Sequence, residues 1–306
     1  MITFESLVND FKTLNIHEGD VIFLRVSYRS IGGIEGGPKV FIDALLSVIG
    51  ITGTIVVTAY PKRISSRLRF FQKKKIVSDI SHLPSNTGII SSICCKYPGA
   101  MFTQHPTYPC VIIGKNANII ARQHSFDSYP FSIMENLANN YNAKCLRVGG
   151  DILVGTTHVA LHEALMYNNC YQRLEKKGLY VKFNRNIFWR ADTTSAFCVA
   201  GYKNFFYKYI YKEAVLAEGF IGNGDAMITS MKKSLELERK YLFDDIKNIL
   251  CDDPNCNICR ATYSFSNAKM YFFVSQIWKL FTQRDKKFMK NIYMMIRISL
   301  LGSKVQ

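Results

Sequence analysis

The sequence predicts an α/β fold, because strand-like apolar runs alternate with segments of helical periodicity. DVIFLRVS (20–27) is typical of a buried strand, a glycine-rich loop follows it, and KVFIDALLSVIG (39–50) has helical spacing. GTIVVTAY (53–60) then predicts a second strand. With 306 residues, of which 48% are hydrophobic and 20% charged, the chain is expected to bury a substantial core.

The other elements are predicted from the same patterns. The N-terminal segment 4–16 is expected to be helical, since Leu7, Phe11 and Leu14 fall on one stripe. Residues 61–86 are rich in Lys and Arg and are expected to form a long basic loop or flap. Further predicted helices are 88–99, 158–169 and 230–250, and further predicted strands are 109–114, 143–150, 179–183 and 186–191.

The chain is strongly basic, with a formal net charge of +16. Ten Lys and Arg against three Asp and Glu give residues 246–306 a charge of +7, which leaves +9 for residues 1–245. A basic balance favours anionic partners, such as nucleic acid, an acidic membrane surface or phosphorylated small molecules. A solvated surface with surplus lysine is the alternative interpretation.

Two features of the sequence predict a cytoplasmic protein. No run of about 18 uninterrupted apolar residues is present, and the N-terminal residues contain no apolar segment of a signal peptide. The nine cysteines are an odd number in a chain too large to need disulfides. They indicate a reducing compartment, with free thiols or a metal site.

Two parts of the chain are expected to differ, a domain over 1–245 and a C-terminal helical extension over 246–306. The end of the extension mixes aromatic and basic residues at roughly helical spacing. Helices of this kind can lie on a membrane surface or pack on their own domain, so peripheral membrane contact is one expectation. A homodimer is also compatible with the sequence, whereas no nucleic acid is expected.

The glycine loop SYRSIGGIEGGPKV (27–40) follows a predicted strand and opens a predicted helix. Glycines allow close backbone approach to a ligand, and free N–H groups at a helix start attract phosphate. Pro38 suits the first helical turn. The loop has neither the P-loop nor the dinucleotide-binding spacing, so a glycine turn without a ligand is the alternative.

Six segments in series carry a resemblance to a known family. They are 19–60, LPSNTGIISSICCKYPGAMFTQHPTYPCVIIG (83–114), YPFSIMENL (129–137), LHEA (161–164), WRADTTSAFCVAGYKNFF (189–206) and EGFIGNGDAM (218–227). Over roughly residues 5 to 245 the chain resembles the aminoglycoside 3-N-acetyltransferase family. The resemblance implies a three-layer α/β/α sandwich that transfers an acyl group from coenzyme A, as acetyl-CoA or a longer acyl-CoA, to an amine.

The resemblance also implies a set of site residues. The glycine loop is where such enzymes hold the coenzyme A pyrophosphate, and the His-Pro-Thr segment is expected to line the substrate cleft. His158 is expected to face the substrate or to be structural. The implied cofactor residues are Ser27, Arg29, Ser30, Gly32 and Gly37, and the implied substrate residues are His105, Thr107 and His158. A buried histidine bonded to backbone is the alternative for His105.

His162 matches the Leu-His position of the family and is the expected general base. An ammonium cannot attack a thioester, and histidine titrates in the range needed to remove its proton. Direct transfer follows, because no cysteine pattern demands an acyl-enzyme. A metal ligand and a structural histidine are the alternatives. Asp225 is the expected orienting carboxylate, with Asp192 as a second candidate, since adjacent Glu163 points elsewhere around the helix.

Three departures from the family pattern bear on the acceptor. Arg25, Val26 and Ser27 stand where the family commonly has His-Ser-Ser, and Leu165 stands where it has a glutamate. The third is charge, because a basic core repels polycationic aminoglycosides and attracts nucleotide diphosphate sugars. We therefore expect a nucleotide-linked amino sugar of O-antigen or other surface polysaccharide synthesis. An aminoglycoside acceptor, or a non-catalytic protein that binds nucleic acid or membranes, is the alternative.

The segment CDDPNCNICR (251–260) carries three close cysteines, Cys251, Cys256 and Cys259. Zinc needs several thiolates within about 2.3 Å, so a structural zinc site is one interpretation. Free thiols and an iron–sulfur cluster are the others. No cysteine follows residue 259, and the upstream Cys170 or Cys198 could complete the zinc site.

Overall fold

The computed structural model describes residues 1–60, 63–67, 74–79, 87–150, 154–167, 175–183, 186–194 and 198–253, together with Cys256 and Cys259. The strands at 63–67, 74–79, 175–183 and 186–194 are described by their backbone alone. The described helices are α1 (Phe4–Thr13), α2 (Tyr28–Ile31), α3 (Pro38–Ile49), α4 (Ile89–Cys94), α5 (Ala117–Gln123), α6 (Ser132–Asn140), α7 (Thr157–Tyr167), α8 (Val199–Phe205), α9 (Tyr211–Ala214) and α10 (Met231–Asp244), with a π-helical turn at Phe206–Ile210 and a 3-10 turn at Ile246–Ile249.

The strands form two sheets. They are β1 (Val21–Val26), β2 (Thr54–Thr58), β3 (Arg63–Arg67), β4 (Lys74–Asp79), β5 (Met101–Phe102), β6 (Cys110–Gly114), β7 (Lys144–Val148), β8 (Glu175–Phe183), β9 (Asn186–Thr194), β10 (Val215–Ile221) and β11 (Gly224–Ser230). Seven strands form a sheet in the order β10-β11-β7-β1-β2-β6-β5, and four form a sheet in the order β3-β4-β8-β9. In the larger sheet β1 is parallel to β2 and β7, while the outer pairs are antiparallel.

Helices cover both faces of the seven-stranded sheet, because its central strands are apolar on both sides. On β1, Ile22 packs into a core with α1, α3 and α4, whereas its neighbour Phe23 packs into a core with α5 to α8 and α10. This arrangement confirms the predicted three-layer α/β/α sandwich. The predicted helices after residue 259 lie outside the described residues.

The β10–β11 hairpin fixes the loop that follows β1. The amide of Asn223 at the hairpin tip donates to the carbonyl of Ile31 at 2.9 Å. The amide of Gly222 donates to the carboxylate of Asp10 on α1 at 2.8 Å. From the other side Ile2 pairs with Ile34 as a short parallel bridge. The loop that carries the glycines is therefore held by contacts from both termini of the domain.

Two elements depart from the prediction. The loop expected at 61–86 contains β3 and β4, which pair in antiparallel register. Their many charged residues give no alternation of apolar and polar positions, which is the pattern that reveals a strand. The β10–β11 hairpin also escapes prediction, because the sequence of β10, VLAEGFI, does not alternate apolar and polar residues, although alternate positions of the strand are half-buried.

The described start of the predicted extension packs into the main core. Ile246 and Ile249 are 7% and 1% exposed and belong to the same core as α10. The domain division after residue 245 thus falls within packed structure, and it stays a prediction. Throughout the described ranges, no helix has the length and apolarity needed to cross a membrane.

Candidate active site

A cleft of about 310 Å³ opens where the parallel strands β1, β2 and β7 end. The carboxyl ends of parallel strands are the usual location of ligand sites in α/β sheets. Both cores reach this cleft, since Leu24 belongs to the core of α3 and Tyr60 packs against the core of α10. The lining residues are Leu24, Arg25, Val26, Ser27, Val57, Thr58, Tyr60, Thr87, Ile90, Ser91, Gly149 and Gly150.

Two glycines after β7 present backbone to the cleft. Gly149 and Gly150 have φ values of 60° and 70°, in the left-handed region that favours glycine. A Cβ on Gly149 would overlap the hydroxyl of Ser30. The amide of Gly149 donates to the carbonyl of Asp225 at 2.8 Å, which fixes this turn against β11. Glycine at position 149 therefore leaves room for Ser30, whereas a Cβ on Gly150 would make only an ordinary contact with Ser27 at 3.9 Å.

Ser27 is the predicted cofactor residue that lines the cleft. Ser30 lies close to it, but the Ser30 hydroxyl donates to the Ser27 carbonyl at 2.7 Å. Ser30 therefore supports the turn after β1. Arg29 is exposed and is not part of the cleft lining. Its predicted contact with coenzyme A stays a prediction.

Gly32 and Gly37 lie outside the cleft lining. Gly32 has a φ of 98°, and a Cβ there would come within 2.8 Å of the side-chain amide nitrogen of Asn223. Gly32 thus allows the hairpin tip to pack closely, and its predicted role as a cofactor residue stays a prediction. Gly37 has a φ of 84° directly before Pro38 of α3, with open space where a Cβ would stand, and its role stays a prediction.

Two hydroxyl groups at the cleft were missed by sequence reasoning. Thr87 and Ser91 each donate a hydrogen bond to the carbonyl of Thr58, at 2.8 Å and 2.7 Å. These bonds join the segment that begins α4 to the end of β2. Both residues lie in the segment 83–114 that carries the family resemblance, and that resemblance is the signal that could have found them.

A row of ring contacts leads from the cleft to His162. Tyr60 contacts Tyr108 at a centroid distance of 5.5 Å, and Tyr108 contacts Phe131 at 4.6 Å. Phe131 lies 6.0 Å from Tyr129, which contacts the imidazole of His162 at 4.4 Å. His162 is not itself a lining residue of the cleft. The aromatic row is the described structure that connects the two.

The imidazole of His162 is half-buried on the second turn of α7. Within the described part of the chain its ring makes no hydrogen bond. Burial lowers the pKa of His162 below its ordinary value of 6.5, and the nearby carboxylate of Glu163 offsets part of this shift. The ring is therefore neutral at pH 7 and able to accept a proton. Among described residues, no group of potential metal ligands includes it.

His158 stands one turn before His162 on the same helix. Its ring stacks on Phe131 at a centroid distance of 4.1 Å and an angle of 6°. The hydroxyl of Tyr129 donates to the carbonyl of His158 at 3.5 Å. His158 therefore joins α7 to the segment before α6, and its predicted contact with substrate stays a prediction.

His105 is buried and its ring nitrogens are bonded to backbone, as in the alternative interpretation given above, and its predicted contact with substrate stays a prediction. It is 0% exposed, and its Nδ1 accepts the amide N–H groups of Thr107 and Tyr108 at 3.3 Å and 3.1 Å. Its Nε2 donates to the carbonyl of Ser128 at 2.9 Å. The hydroxyl of Thr107 lies 3.3 Å from the same Nδ1, so it too is part of this turn.

The adjacent carboxylate Glu163 does not orient His162, as expected from the helix geometry. Arg239 on α10 donates two hydrogen bonds to Glu163, at 2.8 Å and 2.7 Å, and one to Glu135 on α6, at 2.5 Å. One guanidinium thus ties α6, α7 and α10 together beside His162. Sequence reasoning missed Arg239, because nothing in its own segment marks it.

Asp225 pairs with Arg147, and its predicted role as the carboxylate that orients His162 stays a prediction. The carboxylate accepts a hydrogen bond from Arg147 at 2.7 Å at the start of β11. In the described structure no contact joins Asp225 to His162. The side chain of Asp192, the second candidate, lies outside the described part of the chain.

A buried acid lies under the start of α7. Glu238 of α10 is 0% exposed and accepts a hydrogen bond from the hydroxyl of Thr157. Burial raises the pKa of Glu238 to about 8. Tyr202 of α8 packs nearby, and its hydroxyl accepts the amide N–H of Val154 at 3.0 Å. The helix that carries His162 is therefore anchored on two buried polar groups.

The three predicted metal ligands lie together, and a fourth cysteine joins them. The sulfur atoms of Cys198, Cys251, Cys256 and Cys259 all lie within 4.8 Å of one another. Cys170, the other upstream candidate, lies outside the described residues. None of the four cysteines lines the cleft.

Comparison with known protein families matches residues 23–243 to the family described as aminoglycoside 3-N-acetyltransferase. The chain belongs to this family. The match includes all but the first two residues of β1, the cleft and the whole of α7, and it confirms the resemblance found in the sequence. Membership also confirms the prediction of an N-acetyltransferase at the level of the enzyme class. The closer likeness to sugar N-acyltransferases stays a prediction.

Curated relatives are distant. The chain is 22% identical over 265 residues to the aminoglycoside N(3')-acetyltransferase-like protein YokD of Bacillus subtilis, which covers 81% of this chain and 95% of YokD. It is 25% identical over 138 residues to aminoglycoside N(3)-acetyltransferase IX of Micromonospora chalcea, over 41% of this chain and 49% of that enzyme. The chain thus matches about half the length of the latter relative.

Solved structures of the family share the fold. Aminoglycoside acetyltransferase AAC(3)-IVa in its apo form has a TM-score of 0.67 at 17% identity, over 86% of this chain and 97% of that one. AAC-IIIb in a binary complex with coenzyme A has a TM-score of 0.64 at 17% identity, over 79% and 96%. At these identities the likeness establishes the fold alone.

Proposed function

We propose that this protein is an acetyl-CoA-dependent N-acetyltransferase that modifies an amino group of an aminoglycoside-type acceptor. The observation that carries the proposal is the position of His162. Its imidazole is half-buried on the helix where the family resemblance expects the base, and burial lowers its pKa. Family membership and the names of the relatives support the acceptor class.

The proposed reaction moves one acetyl group, and two protons leave the amine nitrogen. The neutral imidazole of His162 takes the first proton from the ammonium, which frees the nitrogen lone pair. The nitrogen attacks the thioester carbonyl, the C–N bond forms, and collapse of the tetrahedral intermediate breaks the C–S bond. The nitrogen releases its second proton to solvent, and the imidazolium of His162 gives the first proton to the leaving sulfur, so coenzyme A departs as a thiol and the imidazole is neutral again.

The proposed donor site is the cleft at the ends of β1, β2 and β7. Gly150, Ser27 and Arg25 all line it, together with Gly149, whose amide N–H is already donated to the carbonyl of Asp225. Amide N–H groups and a cation are the usual partners of a pyrophosphate. Acetyl-CoA would thus lie with its phosphates at this wall and its thioester toward the aromatic row that ends at His162.

A second acceptor class is a nucleotide-linked amino sugar. The observation that favours it is Arg25, a cation in the cleft at a position where the family commonly has histidine, together with the net charge of +16. A cationic cleft attracts a nucleotide diphosphate and repels a polycation. The names of the relatives favour the aminoglycoside acceptor over this one.

A thiol-release assay with acetyl-CoA tests both. The purified full chain is offered gentamicin-type and neomycin-type aminoglycosides, UDP- and dTDP-linked amino sugars, and a simple amine as a background control. We expect release of coenzyme A with at least one aminoglycoside, and the mass of the product should rise by one acetyl group. Turnover confined to nucleotide-linked sugars would replace the acceptor, and no turnover by folded protein with any amine would remove the enzymatic proposal.

A further inference from the structure

Four thiols from two distant parts of the chain converge beside α8. Cys198 directly precedes α8, whereas Cys251, Cys256 and Cys259 follow the 3-10 turn that ends at Ile249. Their sulfur atoms all lie within 4.8 Å of one another. Cys251 and Cys259 are 4% and 1% exposed, so the group is largely closed to solvent.

The backbone around the four cysteines is built for this close approach. A Cβ on Gly201 of α8 would overlap the carbonyl oxygen of Ile249 and lie 3.0 Å from the amide nitrogen of Cys251. Glycine at this position therefore lets the chain that carries Cys251 lie directly on α8. The side-chain amide of Asn204 on α8 donates to the carboxylate of Asp252 at 2.7 Å, and this bond also holds the chain after Cys251 against α8.

The geometry fits a tetrahedral metal site. Zinc–sulfur bonds of about 2.3 Å place the four sulfurs of a tetrahedral all-cysteine site about 3.8 Å apart, and the observed limit of 4.8 Å is close to that spacing. The amide N–H of Cys251 points at the sulfur of Cys259 at 3.4 Å. Hydrogen bonds of this kind orient metal-bound thiolates and offset their charge.

We propose that Cys198, Cys251, Cys256 and Cys259 bind one zinc ion as a closed structural site. Four soft ligands leave no open position, so the ion fastens the chain after residue 249 onto α8 and takes no part in acyl transfer. The site adds Cys198 to the three cysteines that stand close in sequence. The fourth ligand comes from upstream, whereas plant-type iron–sulfur spacing needs it downstream.

Metal analysis of the full chain tests the proposal. Protein purified under reducing conditions without added metal is expected to hold about one zinc per chain. Replacement of zinc by cobalt should give the strong visible bands of a tetrahedral thiolate site. Cys198→Ser and Cys256→Ser should lose most of the zinc, while the matched control Cys95→Ser, a half-buried cysteine of the α4 region, should keep it.

Thiol labelling of the wild type keeps the test decisive if the variants do not fold. With zinc bound, four thiols should resist alkylation until a chelator is added, and the melting temperature should fall when the chelator removes the metal. Folded wild-type protein without zinc would overturn the proposal. Disulfides among these cysteines, detected by a mass four units lower, would do so as well, and so would iron with acid-labile sulfide.

Discussion

Two pairs of histidines contact the same short segment, residues 128–131, but they contact different groups of it. His105 and His124 stack on each other at 4.5 Å and reach the carbonyls of Ser128 and Pro130, at 2.9 Å and 3.2 Å. The other pair, on α7, instead lies against aromatic side chains of the segment, those of Tyr129 and Phe131. The first pair is hydrogen-bonded to backbone carbonyls, and the second pair makes ring contacts.

The difference separates structural histidines from a titratable one. Hydrogen bonds to both ring nitrogens fix the tautomer of His105, and the side chain is completely buried. A tilted ring contact with Tyr129 holds His162 in place without using its nitrogen atoms, so the ring keeps a lone pair for a proton. Burial keeps that ring neutral by lowering its pKa. Position in the fold, and not residue type, decides which histidine can act as a base.

The largest expected effect is on turnover. His162→Ala should lower kcat/KM by roughly 10²–10⁴-fold, because the ammonium then keeps its proton. Steady-state thiol release with acetyl-CoA and the best acceptor measures it. His17→Ala is the matched control, since His17 is exposed before β1. Near-wild-type turnover of the His162 variant would end its assignment as the base.

The second test concerns a variant that should change stability and leave turnover largely unchanged. His105→Ala should lower the free energy of unfolding by about 2–4 kcal/mol, because it leaves a cavity and strands the buried partners of the ring. Denaturant unfolding measures the change, and the folded fraction should keep kcat/KM within about tenfold of the wild-type value. His162→Ala should cost less than about 1 kcal/mol in the same assay. Equal losses in the two variants would erase the distinction between the pairs.

The third test extends the comparison to Glu238, which is buried like His105 but titratable. Its pKa is raised to about 8, so the folded state keeps a proton that the unfolded state releases above its ordinary value of 4.5. Glu238 therefore lowers stability as pH rises from about 4.5 to about 8, by on the order of a few kcal/mol in total. Glu238→Gln should remove this slope from unfolding free energies measured across that range.

Glu236→Gln on the same helix is the control for Glu238. Glu236 is exposed, so its variant should keep the pH dependence of the wild type. If Glu238→Gln and Glu236→Gln gave the same slope, Glu238 would be ionised in the folded state across that range.

The smallest expected effect concerns the pH profile. Activity needs neutral His162, so kcat/KM should rise with pH through a value below 6.5 and then level off. Glu163 raises the pKa of His162, so Glu163→Gln should move the inflection to lower pH, by less than about one unit. Glu135→Gln removes the other carboxylate on Arg239 and should leave the inflection in place. A shift of the same size in both variants would exclude a direct effect of Glu163.

The sequence predicts the central strands and α7 well, because continuous apolar runs and helical spacing are local properties. The same local view misses Gly149 and Gly150 as cleft residues, since both resemble an ordinary end of a strand. It also leaves open whether His105 contacts substrate or is a structural histidine. The hydrogen bonds of that ring, to Ser128 and to the amides that follow it, become visible only after the chain has folded.

Long-range partners account for the other differences. Asp225 is a reasonable orienting acid by type, but it pairs with Arg147 of the neighbouring strand β7, whose register partner on β11 is Met227. Arg239 and Glu238 come from α10, which the sequence predicts as a helix without marking any of its residues as functional. Cys198 is one of two upstream cysteines that could complete the cluster, and the close packing of α8 on the chain around Cys251 decides for it.

The alternation along residues 128–131 has a consequence for changes in chain length. Consecutive residues there face opposite neighbours, so a single inserted or deleted residue would exchange carbonyls for rings and would disturb both the fold and the candidate base. A substitution that keeps the register, such as Phe for Tyr at 129, keeps a ring against His162 and loses the hydroxyl bond to the carbonyl of His158. In this protein we therefore expect the segment to tolerate side-chain replacement better than a change of length.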